Sequence, residues 1–363
     1  MKIKTMNIRT DLTQKTRLFI YYGFIILTAF SIVSCNQKKE FATAKIDDVY
    51  IAGGITIKGK QYPAYWKNGK MGKLSEQSGS VIAIAVNNAA VYAVGYLEAK
   101  PNQIIVWKNK IPIEIKASGA QRVNAIGITL SGTDVYVAGS QNNGNGENSI
   151  AKYWKIDSRN QITDTSLPKP NPGNNAYGNG IAVLHNHIYV IGTIRNGSES
   201  IAALWRDGVY IPLTDGTSNA YAEGIAVSGN DIYIGGSEDD TVKYWKYDGK
   251  SVNSYSLGVI DESGVGINCI AVNANKVYMA GSDSETFKKA TYWDNGTIVQ
   301  LENSASITGE SSAQIALAGN NVYVTGYHKN NNTSYLWKNG NLMPPFDGKN
   351  EAIDALALYV VEK

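Results

Sequence analysis

After residue 45 the chain repeats one short pattern seven times: a β-branched residue, Tyr, two mostly apolar residues and Gly. The copies begin at Val49, Val91, Val135, Ile188, Ile232, Val277 and Val322. Their tyrosines stand 42, 44, 53, 44, 45 and 45 residues apart. That interval is the length of a four-stranded propeller blade. A unit this short cannot bury its apolar face alone, so the copies must stack into one body.

The rest of each repeat supplies the other strands. Every copy is followed by one tryptophan: Trp66, Trp107, Trp154, Trp205, Trp245, Trp293 and Trp337 are all seven in the chain. Most are followed by Asn-Gly or Asp-Gly, as at Asn68-Gly69, Asp207-Gly208, Asp248-Gly249, Asn295-Gly296 and Asn339-Gly340. Such pairs suit type I′ hairpin turns, whose two central residues need positive φ. Apolar triplets such as Ile84-Ala85-Val86 and Ile225-Ala226-Val227 precede the Tyr segments. They read as strands covered on both faces. Proline in Ile111-Pro112-Ile113, Ile211-Pro212-Leu213 and Met343-Pro344 marks an edge strand, because proline donates no ladder hydrogen bond.

The first Tyr segment has no triplet before it, and the last triplet, within Ala355-Leu356-Ala357-Leu358, has no Tyr segment after it. The C-terminal strand is therefore expected to complete the N-terminal blade and close the ring. The expected fold is all-β: a seven-bladed β-propeller over residues 46–363, with four antiparallel strands per blade. The 53-residue interval holds an insertion near residues 157–175, rich in Pro, Asn and Ser, that reads as a surface loop.

The segment Ala290-Thr291-Tyr292-Trp293-Asp294-Asn295-Gly296-Thr297-Ile298, with residues 64–74 and 335–343, resembles the extracellular HAF repeat. The resemblance spans nearly all of residues 46–363 and implies no activity. This chain departs from it in its Val-Tyr-x-x-Gly strand and in lacking the usual Gly-Gly linker. Tyr50-x-x-Gly-Gly is also similar to kelch repeats, without their spacing to Trp.

The N-terminus reads as an address. Residues 1–17 are polar and basic, residues 18–33 are apolar, and Ser34-Cys35 follows at once. Basic region, apolar stretch and small residue make a secretory signal peptide. Ile32-Val33-Ser34-Cys35 resembles the lipobox of bacterial lipoproteins, which implies cleavage before Cys35 and acylation of that cysteine. Residues 1–34 are thus expected to be the signal peptide and residues 35–45 a polar tether. The partner so implied is a membrane, reached through the N-terminal lipid. Asn36 after the cysteine points to the outer membrane, on its periplasmic or exposed side. Cys269 is the only other cysteine, and a buried strand position is its simplest reading.

The net charge of +3 comes from the leader. Without residues 1–34, which carry five basic side chains and one acidic, 29 basic and 30 acidic residues remain. A body so nearly neutral excludes a nucleic-acid partner, since phosphate binding needs a basic surface.

Function is expected where the repeats differ, because the sevenfold Tyr and Trp columns are accounted for by packing between blades. Two residues before each triplet stand Ile82, Ile126, Asn179, Glu223, Asn268, Ala313 and Asp354. This column belongs at the start of the inner strand, near the mouth of the central channel. Asn179, Glu223, Asn268 and Asp354 either converge on a ligand or form a solvated rim. Just upstream, Asn175-Ala176-Tyr177 and Asn219-Ala220-Tyr221 repeat in adjacent blades, and the pair Tyr177 and Tyr221 suits a peptide or glycan. The same face is expected to carry Arg195, Glu199, Glu238-Asp239-Asp240, Asp283, Glu285 and His328.

His185-Asn186-His187 reads as a turn rather than a ligand pair. The chain has no phosphate loop, zinc-protease helix or nucleophile elbow, so no cofactor, metal or catalytic set is expected. The leading expectation is a lipid-anchored envelope protein that binds a protein or glycan ligand on one propeller face. The alternatives are a carbohydrate-active enzyme with Glu223 and Asp354 as acid and base, and a lipoprotein assisting outer-membrane protein assembly.

Overall fold

A computed structural model describes residues 47–87, 90–116, 122–142, 148–239, 241–259, 267–282, 290–302, 314–328, 333–344 and 352–363. The signal peptide, Cys35 and the tether lie outside the described residues, as do Asp240, Asp283, Glu285 and Ala313 and the side chain of His328.

The described residues form seven four-stranded antiparallel sheets. Blade 1 joins Asp48–Ile57, Lys60–Lys67 and Lys70–Lys73 to the last strand of the chain, Ala352–Val361. Blade 4, typical of the others, runs Asn175–Leu184, His187–Asn196, Glu199–Arg206 and Val209–Pro212 from inside to outside. Each inner strand touches the inner strands of both neighbouring blades, and the contacts run once around the ring. The expected propeller and its C-terminal closure are both present.

Seven apolar clusters, one per blade boundary, hold the ring. Tyr50 packs with Trp107, Tyr92 with Trp154, Tyr136 with Trp205 and Tyr189 with Trp245. Tyr233 packs with Trp293, Tyr278 with Trp337 and Tyr323 with Trp66. In every case the Tyr of one blade meets the Trp of the next, and every tryptophan is buried. Burial of rings this large supplies most of the adhesion between blades.

The same tyrosines carry a second interaction that the repeat pattern did not disclose. The residue after Trp pairs across the strands with Tyr and sets its cation over the ring. Lys67 stands 5.1 Å from the centroid of Tyr50, Arg206 5.9 Å from Tyr189 and Lys338 5.1 Å from Tyr323. In blade 6 that position is Asp294.

The hairpin turns at Asn68-Gly69, Asp207-Gly208, Asn295-Gly296 and Asn339-Gly340 have positive φ at both residues, as their sequences require. The side chain adds a latch. Val49 N–H donates to Asn68 Oδ1 at 2.8 Å, Ile188 N–H to Asp207 Oδ1 at 2.9 Å and Val322 N–H to Asn339 Oδ1 at 2.8 Å. Asp248-Gly249 differs: only Gly249 has positive φ, and the Asp248 carboxylate accepts from the N–H groups of Lys250 and Ser251 across a longer turn.

The insertion is more ordered than a plain surface loop. Ile162–Ser166 is the outer strand of blade 3. Leu167 is buried, and the Pro168 carbonyl accepts from the Trp205 indole N–H at 2.7 Å.

Candidate functional site

Among the described residues, six inner strands carry a β-bulge at one level. The unpaired residues are Ile82, Ile126, Asn179, Glu223, Asn268 and, in the closing strand, Leu356. A bulge re-aims one side chain out of the pleat. Here it turns the column into a central cavity of about 410 Å³, lined by inner strands of all seven blades. The bulge also explains the glycine of the repeat. A Cβ on Gly139 would lie 1.8 Å from the Asn124 carbonyl oxygen, and one on Gly192 1.8 Å from that of Tyr177.

Asp354 is a correction to the expected column. Tyr50 pairs with Tyr359, so Leu358-Tyr359-Val360 occupies the triplet position and Leu356 the bulge. Asp354 pairs with Gly54, two residues farther out, in the row that holds Tyr177 and Tyr221 in blades 4 and 5. It does not line the central cavity. A slip of two residues keeps every side chain on its own face, so alternation cannot detect it. Burial pushes the Asp354 carboxyl up, against a hydrogen bond from Gln61. The Tyr96 hydroxyl of blade 2 is raised by burial first, then by the charges of Glu98 and Asp354.

The structure brings four of the expected residues together. Tyr177, Asn179, Tyr221 and Glu223, with Thr193 and Arg195, line one crevice of about 270 Å³ between blades 4 and 5. Asn179 and Glu223 also line the central cavity. Asn179 Nδ2 donates to the Ala222 carbonyl at 2.9 Å and lies 3.4 Å from both Glu223 Oε2 and Thr193 Oγ1. Arg195 stands 5.7 Å from the centroid of Tyr177. Tyr221 is exposed. Burial pushes the Glu223 carboxyl up to about 7. At neutral pH it is therefore able to donate or accept a hydrogen bond, which suits a polar ligand group.

Asn268 lines the cavity from blade 6 and not the crevice. Tyr177 and Tyr221 lie in the inner strands of blades 4 and 5. The Asn-Ala-Tyr repeat divides its labour. Asn175 Oδ1 accepts from Ser149 N–H at 2.7 Å and Asn219 Oδ1 from Ser200 N–H at 2.9 Å, while Ala176 and Ala220 are buried. Only the tyrosines face the crevice. Glu199 has Ser198 Oγ 3.4 Å from its carboxylate, Glu238 pairs with Lys243, and Asp239 accepts from Asn219 N–H. Thr193 was not anticipated; its cross-strand pairing with Tyr177 is the only signal that would have found it.

Cys269 is buried, and its thiol is pushed up to about 12 by that burial. His185 and Asn186 have positive φ and form the turn expected of them. His187 Nδ1 lies 2.6 Å from Asp207 Oδ2.

The chain matches no protein-family model. It matches no curated protein sequence. Among solved structures it is similar to a protein from Lactobacillus plantarum, with 13% identity over 87% of this chain and 100% of that one and a TM-score of 0.53. It is also similar to the computationally designed Ika8 protein, at 16% identity, 84% and 90% coverage and a TM-score of 0.47. An acylaminoacyl peptidase from Pyrococcus horikoshii matches at 14% identity over 83% of this chain and 51% of that one, with a TM-score of 0.47. This chain thus spans about half of that peptidase. At such identities the likeness to the Lactobacillus plantarum protein is one of fold alone.

Proposed function

We propose that this chain is a lipid-anchored binding protein of the bacterial cell envelope, taking a protein or glycan ligand at the crevice between blades 4 and 5. One observation carries the reading. Residues that break the sevenfold pattern, Tyr177, Asn179, Arg195, Tyr221 and Glu223, meet in a single crevice at the channel mouth. Aromatic walls with a few polar groups at the base are the usual make-up of a recognition site. The anchor rests on the order of basic leader, apolar run and Ile32-Val33-Ser34-Cys35. The carbohydrate-active alternative needs two facing carboxyls, and Glu223 and Asp354 do not line one cavity.

The test applies the full chain in detergent to glycan and peptide arrays, alongside Tyr221→Ala and Glu223→Gln. Hits that weaken by about tenfold or more in both variants are expected. No hits, or hits indifferent to both substitutions, would overturn the reading. Anchoring is checked by metabolic labelling with a clickable fatty acid, which Cys35→Ser should abolish. Protease treatment of intact cells then assigns the outer or the periplasmic side.

A further inference from the structure

Every blade ends in an open strand edge, and unpaired edge groups invite another strand. Most of the outer strands here carry a deterrent. Lys70–Lys73 has lysine at both ends, Ile111–Lys116 and Val209–Pro212 contain proline, and Ile162–Ser166 contains Asp164. Thr297–Gln300 and Asn341–Leu342 are only four and two residues long. The outer strand of blade 5, Val252–Val259, has eight residues, none charged and none proline. Among the described residues no strand pairs with its outer side. Asn253, Ser254, Tyr255 and Ser256 are exposed.

Two features say what fits this edge. The first is self-complementarity. Ser254-Tyr255-Ser256 reads the same in both directions. An antiparallel copy related by a two-fold axis through Tyr255 sets Tyr against Tyr and each Ser against Ser. The backbone phase agrees. Asp248 N–H donates to the Ser251 carbonyl at 3.3 Å, and bonded pairs alternate along an antiparallel ladder. Counted from there, Tyr255 bonds inward to Tyr244, so the N–H and C=O groups of Ser254 and Ser256 point outward. Those are the groups that this axis brings together.

The second feature is an unfinished stack. The Tyr255 ring lies on that of Tyr244, with centroids 4.7 Å apart and planes 10° from parallel, and Tyr233 stands 6.2 Å beyond Tyr244. Tyr255 ends the row with 42% of its surface exposed. Residues opposed in a non-bonded antiparallel pair have Cα atoms about 4.5 Å apart, close enough for a second Tyr255 to continue the row.

We infer that the outer strand of blade 5 docks a second copy of this chain, antiparallel about Tyr255, so that two blades join into one eight-stranded sheet. The contact uses the same patch on both copies, so it closes as a dimer and does not propagate. It involves no residue of the crevice between blades 4 and 5 and stands apart from the ligand reading.

The experiment is sedimentation equilibrium of the full chain in density-matched detergent, over about a hundredfold range of concentration. A monomer–dimer equilibrium is expected. Ser254→Pro removes an outward N–H and leaves the ladder to Trp245 intact, so it should weaken the dimer about tenfold or more with Tm unchanged. Oxidative cross-linking checks the register independently of that variant. Tyr255→Cys, on the axis, should give a disulfide-linked dimer beyond any seen for wild type, because opposed Cα atoms fall within the disulfide range of about 4.4–6.8 Å. Asn253→Cys faces Leu257 of the other copy and should give none. A wild type monomeric at every concentration, a dimer indifferent to Ser254→Pro, or equal cross-linking of the two cysteine variants would overturn the inference. A monomer whose array hits are extended peptides lost in Ser254→Pro would also overturn it, giving the edge to a foreign strand.

Discussion

Asn179 of blade 4 reaches into blade 5, placing its amide nitrogen 3.4 Å from Glu223 Oε2 while donating to the Ala222 carbonyl at 2.9 Å. Asn179 and Glu223 are equivalent residues of successive repeats, each freed from its ladder by a bulge. The site is thus made by one column touching itself across a blade boundary.

The Glu223 carboxyl gives the fold a pH signature near neutrality. Its folded value of about 7 stands above the ordinary 4.5. The stability it contributes is therefore complete below about 4.5 and falls as pH rises through 7. The full effect is of the order of 3 kcal/mol. Thermal melts of wild type from about pH 5 to 8 should show Tm declining, and Glu223→Gln should flatten that decline. A slope unchanged in the variant would assign the titration elsewhere.

Ring closure has the opposite signature. Lys363 Nζ lies 2.8 Å from Asp48 Oδ1, joining the last residue to the first strand. With Asn68 at 2.7 Å and Lys67 at 3.1 Å, it holds the Asp48 carboxyl down at about 2. That stability is present above about pH 4 and is lost as pH falls toward 2. The partner lysines are half exposed, so screening limits the effect to about 1 kcal/mol. Acid titration followed by near-ultraviolet circular dichroism should show Asp48→Asn unfolding at higher pH than wild type at raised salt and low salt alike, with the larger gap at low salt.

The turn latch is separable from the turn conformation. Asn68 has φ 49° and its side chain accepts from Val49 N–H. Asn68→Gly keeps the conformation and loses the latch, at a cost of about 1 kcal/mol. Asn68→Ala also places a Cβ in the left-handed region, adding about 1 kcal/mol. Urea denaturation of the two variants should rank them in that order below wild type.

The glycine that ends the Tyr strand is required by close approach, not by φ. A Cβ at Gly139 would meet the Asn124 carbonyl oxygen at 1.8 Å, and backbone cannot step aside as a side chain would. Gly139→Ala should destabilise by at least about 3 kcal/mol or yield no soluble protein. Gly132, with φ 59° and open space around it, should cost only about 1 kcal/mol when changed to Ala. Equal midpoints for the two variants would refute the clash.

Much of this molecule is written in single positions of its repeat. The Tyr and Trp columns, the Asn-Gly turns and the proline edges each obey a local rule, so the strand order and the count of seven could be read directly. The final triplet also announced that the C-terminal strand would enter blade 1. What local rules could not supply was register. Residues 355–361 are apolar almost throughout, and a two-residue slip costs no change of face, so only the pairing of Tyr50 with Tyr359 placed Leu356 in the cavity and Asp354 outside it.

The site divides in the same way. Tyr177, Asn179, Tyr221 and Glu223 stood out because they depart from a repeating frame. That they share one crevice, that Arg195 and Thr193 complete it, and that Glu223 is buried enough to titrate near 7 depend on two blades meeting. Ile82 and Ile126 looked like ordinary members of an apolar column. Only the ring, which sets them around one space with Asn179 and Glu223, turns them into the wall of a cavity. Sequence by itself determined the frame, because each strand answers to its own neighbours in the chain. Tertiary structure decided the cavity, because its walls come from segments about 44 residues apart that only closure of the ring brings together.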